Sequence, residues 1–250
     1  MNKRQACVCG FIICCVVILS RCIGTAEKKT DLRGERYAVQ ASCESCHKAV
    51  YDAYLQTAHS RTSAEATPES VKGSFAAPDN VYHYTENKKV VMEKRDSGLF
   101  QASYENGQQK EAHRFDITVG SGRKAQTFLY WNDGKFFQLP LSYLVGAHQW
   151  ANSPGSPPTH AKFNRSIPSI CFGCHASSVG IKETKIEGLQ IVETFHRDRT
   201  VYGIDCQRCH GPAAEHVEYH TPHPEDKQPP HMTGIRALGN QQRLGHSALC

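Results

Sequence analysis

The spacing of apolar residues changes several times along this 250-residue chain, and each change predicts a different element. Phe11 to Leu19 form an unbroken apolar run behind Lys3 and Arg4, too short to span a bilayer. With small residues following at Gly24-Thr25-Ala26, residues 1–26 read as a secretory signal cleaved after Ala26. Leu19-Ser20-Arg21-Cys22 is a degenerate lipidation box, so a lipid anchor at Cys22 is the alternative. Over residues 48–61, Val50, Ala53, Tyr54, Thr57 and Ala58 recur at helical spacing without Gly or Pro. This predicts a helix with His47 at its start and His59 near its end, about 18 Å apart along the axis.

Residues 62–80, rich in Ser, Thr, Ala, Glu and Pro, read as a loop. Short runs of strand character follow at 81–84, 89–93, 99–104, 113–119, 126–131 and 135–139. Their separators, among them Glu105-Asn106-Gly107 and Asn132-Asp133-Gly134, favour tight hairpins because Asn, Asp and Gly tolerate positive φ. Residues 81–140 are therefore expected to form an antiparallel meander, with His83 and His113 in structural roles. Residues 141–150 read as one helical stretch carrying His148, and Ser153-Pro154-Gly155-Ser156-Pro157-Pro158 as an extended loop. Residues 186–194 read as extended, and residues 213–220 as a helix with His216 and His220 on one face. Beyond it, 221–230 is polar and Pro-rich, and 235–246 is moderately helical in composition. The fold class is α+β: short helices in segments 27–80 and 141–250, with a β-rich insert at 81–140.

The cysteines give this pattern its chemistry. Cys-x-x-Cys-His occurs three times, as Cys43-Glu44-Ser45-Cys46-His47, Cys171-Phe172-Gly173-Cys174-His175 and Cys206-Gln207-Arg208-Cys209-His210. This is the attachment signature of c-type haem, in which both thiols bond the porphyrin and the His becomes an axial iron ligand. With 12 Cys and 14 His in the chain, chance gives roughly 0.03 such matches. A zinc site would need four ligands, and a redox dithiol would not need the adjacent His. The other cysteines lie in the leader or at Cys250, which leaves no disulfide framework; Cys250 itself is expected to open a fourth motif. Of the 29 Lys and Arg, three lie in the leader, so the remainder carries 26 basic against 24 acidic side chains. That balance gives no basis for a nucleic-acid partner.

Four further stretches make the chain similar to the multihaem c-type cytochromes related to cytochrome c554. They are 42–47 with Thr57-Ala58-His59-Ser60, Gly120-Ser121-Gly122-Arg123 leading to Gln138-Leu139-Pro140, residues 150–155, and residues 203–217 with Gly211-Pro212-Ala213-Ala214-Glu215-His216. The resemblance implies closely spaced haem c groups, often held between two histidines, and matches His59 and His216 to distal-ligand positions. His47, His175 and His210 are the proximal ligands. The short span from His210 to His216 makes His216 the ligand of a neighbouring haem rather than of its own; His148 and His160 are further candidates, and a surface role for His59 stays open.

Electron transfer is the leading functional expectation, with redox proteins of a respiratory chain, including a membrane quinol oxidase, as partners. The alternative is an oxidoreductase acting on nitrite, hydroxylamine or tetrathionate at one open haem. A third reading is a binding or scaffold protein that docks a partner through the β insert. Export to the periplasm or beyond agrees with haem attachment outside the cytoplasmic membrane.

Overall fold

The computed structural model describes residues 30–226. The signal segment 1–26, Cys22, Cys250 and the helical composition at 235–246 lie outside the described residues. Among the described residues, no helix is long and apolar enough to cross a membrane. The architecture is strand-rich, with antiparallel sheets and a few short helices, as the α+β expectation requires.

The first motif opens α1 (Glu44–Leu55), which stops earlier than the 48–61 spacing predicts. Its final carbonyls are taken by side chains just beyond it. Thr57 Oγ1 donates to the Tyr54 carbonyl at 2.7 Å, and Ser60 Oγ and Arg61 Nε donate to the Leu55 carbonyl at 3.1 and 3.0 Å. Such local side-chain bonds compete with the next helical turn and end it. His59 therefore sits in a turn after α1, and the axial distance expected between His47 and His59 does not apply.

Within 62–80, β1 (Ser63–Glu65) breaks the expected loop by pairing with β6 (Ile117–Val119). Between them come β2 (Val81–His83), β3 (Lys88–Arg95), β4 (Gly98–Glu105) and β5 (Gln108–Arg114), a four-stranded antiparallel sheet. The run predicted at 113–119 is two strands rather than one. At Phe115 and Asp116 the chain changes sheet: Phe115 N–H donates to Leu99 in β4 and Asp116 N–H to Leu129 in β7 (Ala125–Asn132). β8 (Lys135–Gln138) pairs with β7 across the Asn132-Asp133-Gly134 turn, where Asp133 and Gly134 have the expected positive φ.

Residues 141–150 are a correction to the helical expectation. They form β9 (Leu141–Leu144), a turn, and β10 (Gln149–Asn152), with His148 exposed in the turn at φ 52°. Leu141, Ser142 and Tyr143 are consecutive and all buried, which suits a strand covered on both faces and not an amphipathic helix. β9 pairs with β7, and β11 (Arg165–Ser166) with β8, completing a seven-stranded sheet whose members extend beyond 81–140.

β7 is buried on both sides. Phe128 and Tyr130 join Val90, Met92, Leu99, Phe115, Leu139, Leu141 and Trp150 in a core shared with the four-stranded sheet. Leu129, pointing the other way, packs with Ile117, Phe136, Phe172, Ala176 and Phe195. That second cluster joins the sheet to the attachment region. The second motif lies on α2 (Ser169–His175), which runs directly into β12 (Ala176–Glu187). β12 and β13 (Gln190–Tyr202) form a long hairpin that covers the extended segment expected at 186–194 and delivers the chain to α3 (Cys206–His210), the third motif. α4 (Ala214–His220) follows, as its composition predicts.

Candidate haem-attachment site

Each motif lies within or at the start of a helical turn, so that its two cysteines, three residues apart, share a face. In the first motif the regular helix begins only after His47, whose φ −115° and ψ 34° kink the chain. In the second, Phe172 is 3% exposed and its ring lies 5.2 Å from Phe136 and 6.1 Å from Phe195, pinning the turn to the sheet. In the third, Asp205 caps α3 by accepting the Arg208 N–H at 2.9 Å.

The three turns are tied together through the third. The Cys43 and Cys206 thiols interact, which lowers Cys206 and, with burial and the nearby Asp205 charge, raises Cys43. Arg208 donates to the Gly173 carbonyl at 3.0 Å, reaching from the third motif into the second. Gln207, 4% exposed, accepts from the backbone N–H groups of Ala38 and Ala213 at 2.9 and 3.0 Å and donates to the Ala38 carbonyl at 2.7 Å. Arg33 holds the same segment, a strap formed by residues 31–38: it donates to Asp205 at 3.1 and 2.6 Å and to Asp31 at 2.8 and 2.9 Å. Burial alone would raise Asp31, but the Arg33 hydrogen bonds hold it below its usual value.

The turn after α1 closes the arrangement. The His59 carbonyl accepts from Ile204 N–H at 2.8 Å, while Thr62 Oγ1 and Ser63 Oγ donate to the His175 carbonyl at 2.9 and 2.6 Å. Gly203, at φ 69°, passes so close that a Cβ there would stand 2.5 Å from the Ser60 carbonyl oxygen. Only glycine suits that backbone.

Of the sequence-predicted histidines, the structure brings His47 and His216 together. Their ring centroids are 6.2 Å apart and their planes differ by 12°. Two iron–nitrogen bonds of about 2 Å, plus roughly 1 Å from each nitrogen to its ring centre, make a centroid separation of about 6 Å across an axial pair. The spacing thus fits an iron between the two imidazoles. His59 is placed differently: its ring is exposed, and its backbone makes the contacts described. Burial lowers His175, favouring the neutral imidazole that an iron ligand must be. His148 and His160 are exposed, and His113 stacks on Tyr130 at 3.9 Å while contacting Glu111 at 2.7 Å, a structural setting.

A second observation fits a large flat apolar group. The exposed large hydrophobic side chains of the described residues are Leu32, Val50, Leu55, Ile170, Ile181, Ile186, Leu189 and Ile191. They lie on the strap, beside the first two motifs and on the β12–β13 arm; neither large sheet contributes one.

Sequence reading missed the residues between the cysteines, treating Phe172, Gln207 and Arg208 as spacers although they anchor the turns. It also missed Arg33; His220, expected on one helix face with His216, has its ring 4.6 Å from that of His216. Asp205, directly before a helical Cys, was the one legible signal of this kind, being a favoured N-cap residue.

The sequence model of the family described as "Cytochrome c554 and c-prime" matches residues 42–98. No curated protein sequence matches significantly. Among solved structures, the chain is similar to the "Outer Cell Wall Cytochrome OcwA", with 14% identity and a TM-score of 0.48 over 83% of this chain. The match covers 36% of that protein, so the chain spans little more than a third of its length.

Proposed function

From the premise that this chain is a multihaem c-type cytochrome related to the cytochrome c554 family, we propose that it is an exported electron carrier with closely spaced, mostly bis-histidine haems. Bound haem c would supply one-electron iron chemistry. The cysteine pairs Cys43/Cys46, Cys171/Cys174 and Cys206/Cys209 would hold the macrocycles, with His47, His175 and His210 as proximal ligands. His216 would occupy the sixth position opposite His47, leaving that iron closed to small ligands. His59 is proposed as a further distal ligand, and redox proteins of a respiratory chain as the partners.

The observation that carries this reading is the near-parallel His47–His216 pair at 6.2 Å. The expectation that His216 serves a neighbouring haem is supported by the contact of its imidazole with that of His47 in the first motif. The joining of all three attachment turns through α3 supports close spacing of the cofactors. The test is haem stoichiometry together with EPR and optical spectra, before and after carbon monoxide or cyanide. Low-spin haem indifferent to both ligands is expected. A high-spin fraction that binds either would favour the oxidoreductase reading.

A further inference from the structure

α2 begins without a cap of its own. Pro168 occupies its N-cap position and offers no side-chain acceptor, and the helix is only seven residues long. An acceptor arrives from the opposite arm of the hairpin. Glu193, on β13, accepts the Ser169 N–H through Oε2 at 2.6 Å and the Ser169 hydroxyl through Oε1 at 2.6 Å. Both carboxylate oxygens are thus spent on the first residue of the attachment turn, two positions before Cys171.

The same hairpin grips this turn elsewhere. Phe195, two residues beyond Glu193 on the same face of β13, packs on Phe172. At the far end of the hairpin, Arg208 holds the Gly173 carbonyl. The second motif is therefore held at its start, middle and sequence interior by side chains that follow it in the chain. Glu193 is the charged member at the start, where the exposed N–H groups and the helix dipole favour an anion.

We propose that Glu193 is a positioning residue for the second haem: it sets the orientation of the Cys171–His175 turn and places a fixed negative charge beside it. This deepens the electron-carrier reading and rests on it. A negative charge stabilises the more positive, oxidised iron, so a carboxylate held against the attachment turn is expected to lower the reduction potential of that haem relative to a neutral residue.

Two substitutions separate charge from geometry. Glu193→Gln keeps an oxygen that can accept from the Ser169 N–H but removes the charge; Glu193→Ala removes both. In the holoprotein, the signals of the second haem are assigned by comparison with a Cys171→Ala/Cys174→Ala variant. Glu193→Gln is expected to raise the midpoint of that haem alone while leaving its EPR g-values in place. Glu193→Ala is expected to raise the midpoint and also shift the g-values, as the turn carrying His175 relaxes. Faster hydrogen exchange at the Ser169 amide in Glu193→Ala, measured in the same samples, reports the lost cap without reference to haem.

Unchanged midpoint and g-values in both variants would overturn the proposal, as would equal shifts at every haem. A chain carrying no haem at Cys171 and Cys174 would instead refute the electron-carrier reading. The Ser169 exchange result would then still stand as a test of the cap.

Discussion

Replacing His216 with Ala should open one iron. The 6.2 Å centroid separation and 12° interplanar angle already match what two axial bonds require, so His216 needs no rearrangement to serve opposite His47. The obvious rescuer is His220, one helical turn further along α4, with its ring 4.6 Å from that of His216. Four residues at 1.5 Å rise place it about 6 Å along the axis, so it could replace His216 only if α4 slid by a whole turn. The expected result is one ligand-accessible haem per chain, read as one equivalent of carbon monoxide bound by the reduced protein. The wild type should bind none. EPR of the oxidised wild type should contain a rhombic low-spin signal for this centre, because near-parallel imidazole planes split the two iron orbitals that perpendicular planes leave nearly equal. Loss of that signal with one equivalent of ligand binding supports the assignment. A variant that binds no ligand and keeps the rhombic signal would refute it, and the same outcome from His216→Ala/His220→Ala would exclude His220 as the rescuer.

Asp205→Ala should destabilise the folded protein by about 2–3 kcal/mol, since it leaves the buried Arg33 guanidinium with Asp31 as its one remaining carboxylate and uncaps α3; denaturant unfolding, with an Arg33→Ala/Asp205→Ala cycle, measures it, and a loss below about 1 kcal/mol would contradict the bridge. Phe172→Ala should cost about 3–5 kcal/mol by opening a cavity between Phe136 and Phe195; a neutral effect in thermal unfolding would show that the second motif is not anchored there. Burial, with a smaller contribution from the Glu111 charge, pushes the Tyr130 phenol up to about 12. In the unfolded chain it titrates near pH 10, so its share of stability is full below about pH 10 and is lost as the pH rises towards 12. Tyr130→Phe should therefore show a flatter loss of stability between pH 10 and 12, at a neutral-pH cost of about 1 kcal/mol from the lost bond to the Phe163 carbonyl; parallel slopes in urea unfolding would refute this.

The β insert was legible because its turns carry chemistry that few other conformations accept. Asn106, Gly107, Asp133 and Gly134 all adopt positive φ, and β3, β4, β7 and β8 fall where strand character placed them. The errors came where local pattern and tertiary environment disagree. Leu141, Tyr143 and Leu144 are apolar around a single Ser142, a pattern that buried strand and helix share until the neighbouring β7 is known. Residues 108–111 are polar throughout and become an edge strand only because β4 offers them a ladder. The α1 terminus depended on Thr57, Ser60 and Arg61 turning back, which residue type alone does not dictate.

Covalent haem attachment is a matter of bonds at fixed spacing, so three Cys-x-x-Cys-His repeats are enough to predict it from the sequence alone. Which imidazole serves which iron is a matter of distance between residues far apart in the chain. Residues 47 and 216 meet only after the β12–β13 hairpin, the Arg33 strap and the contacts of α3 have folded around them. Sequence supplied the candidate donor atoms; packing of the intervening strands brought these two imidazoles together, because a coordination bond reaches only about 2 Å and no local pattern encodes such proximity.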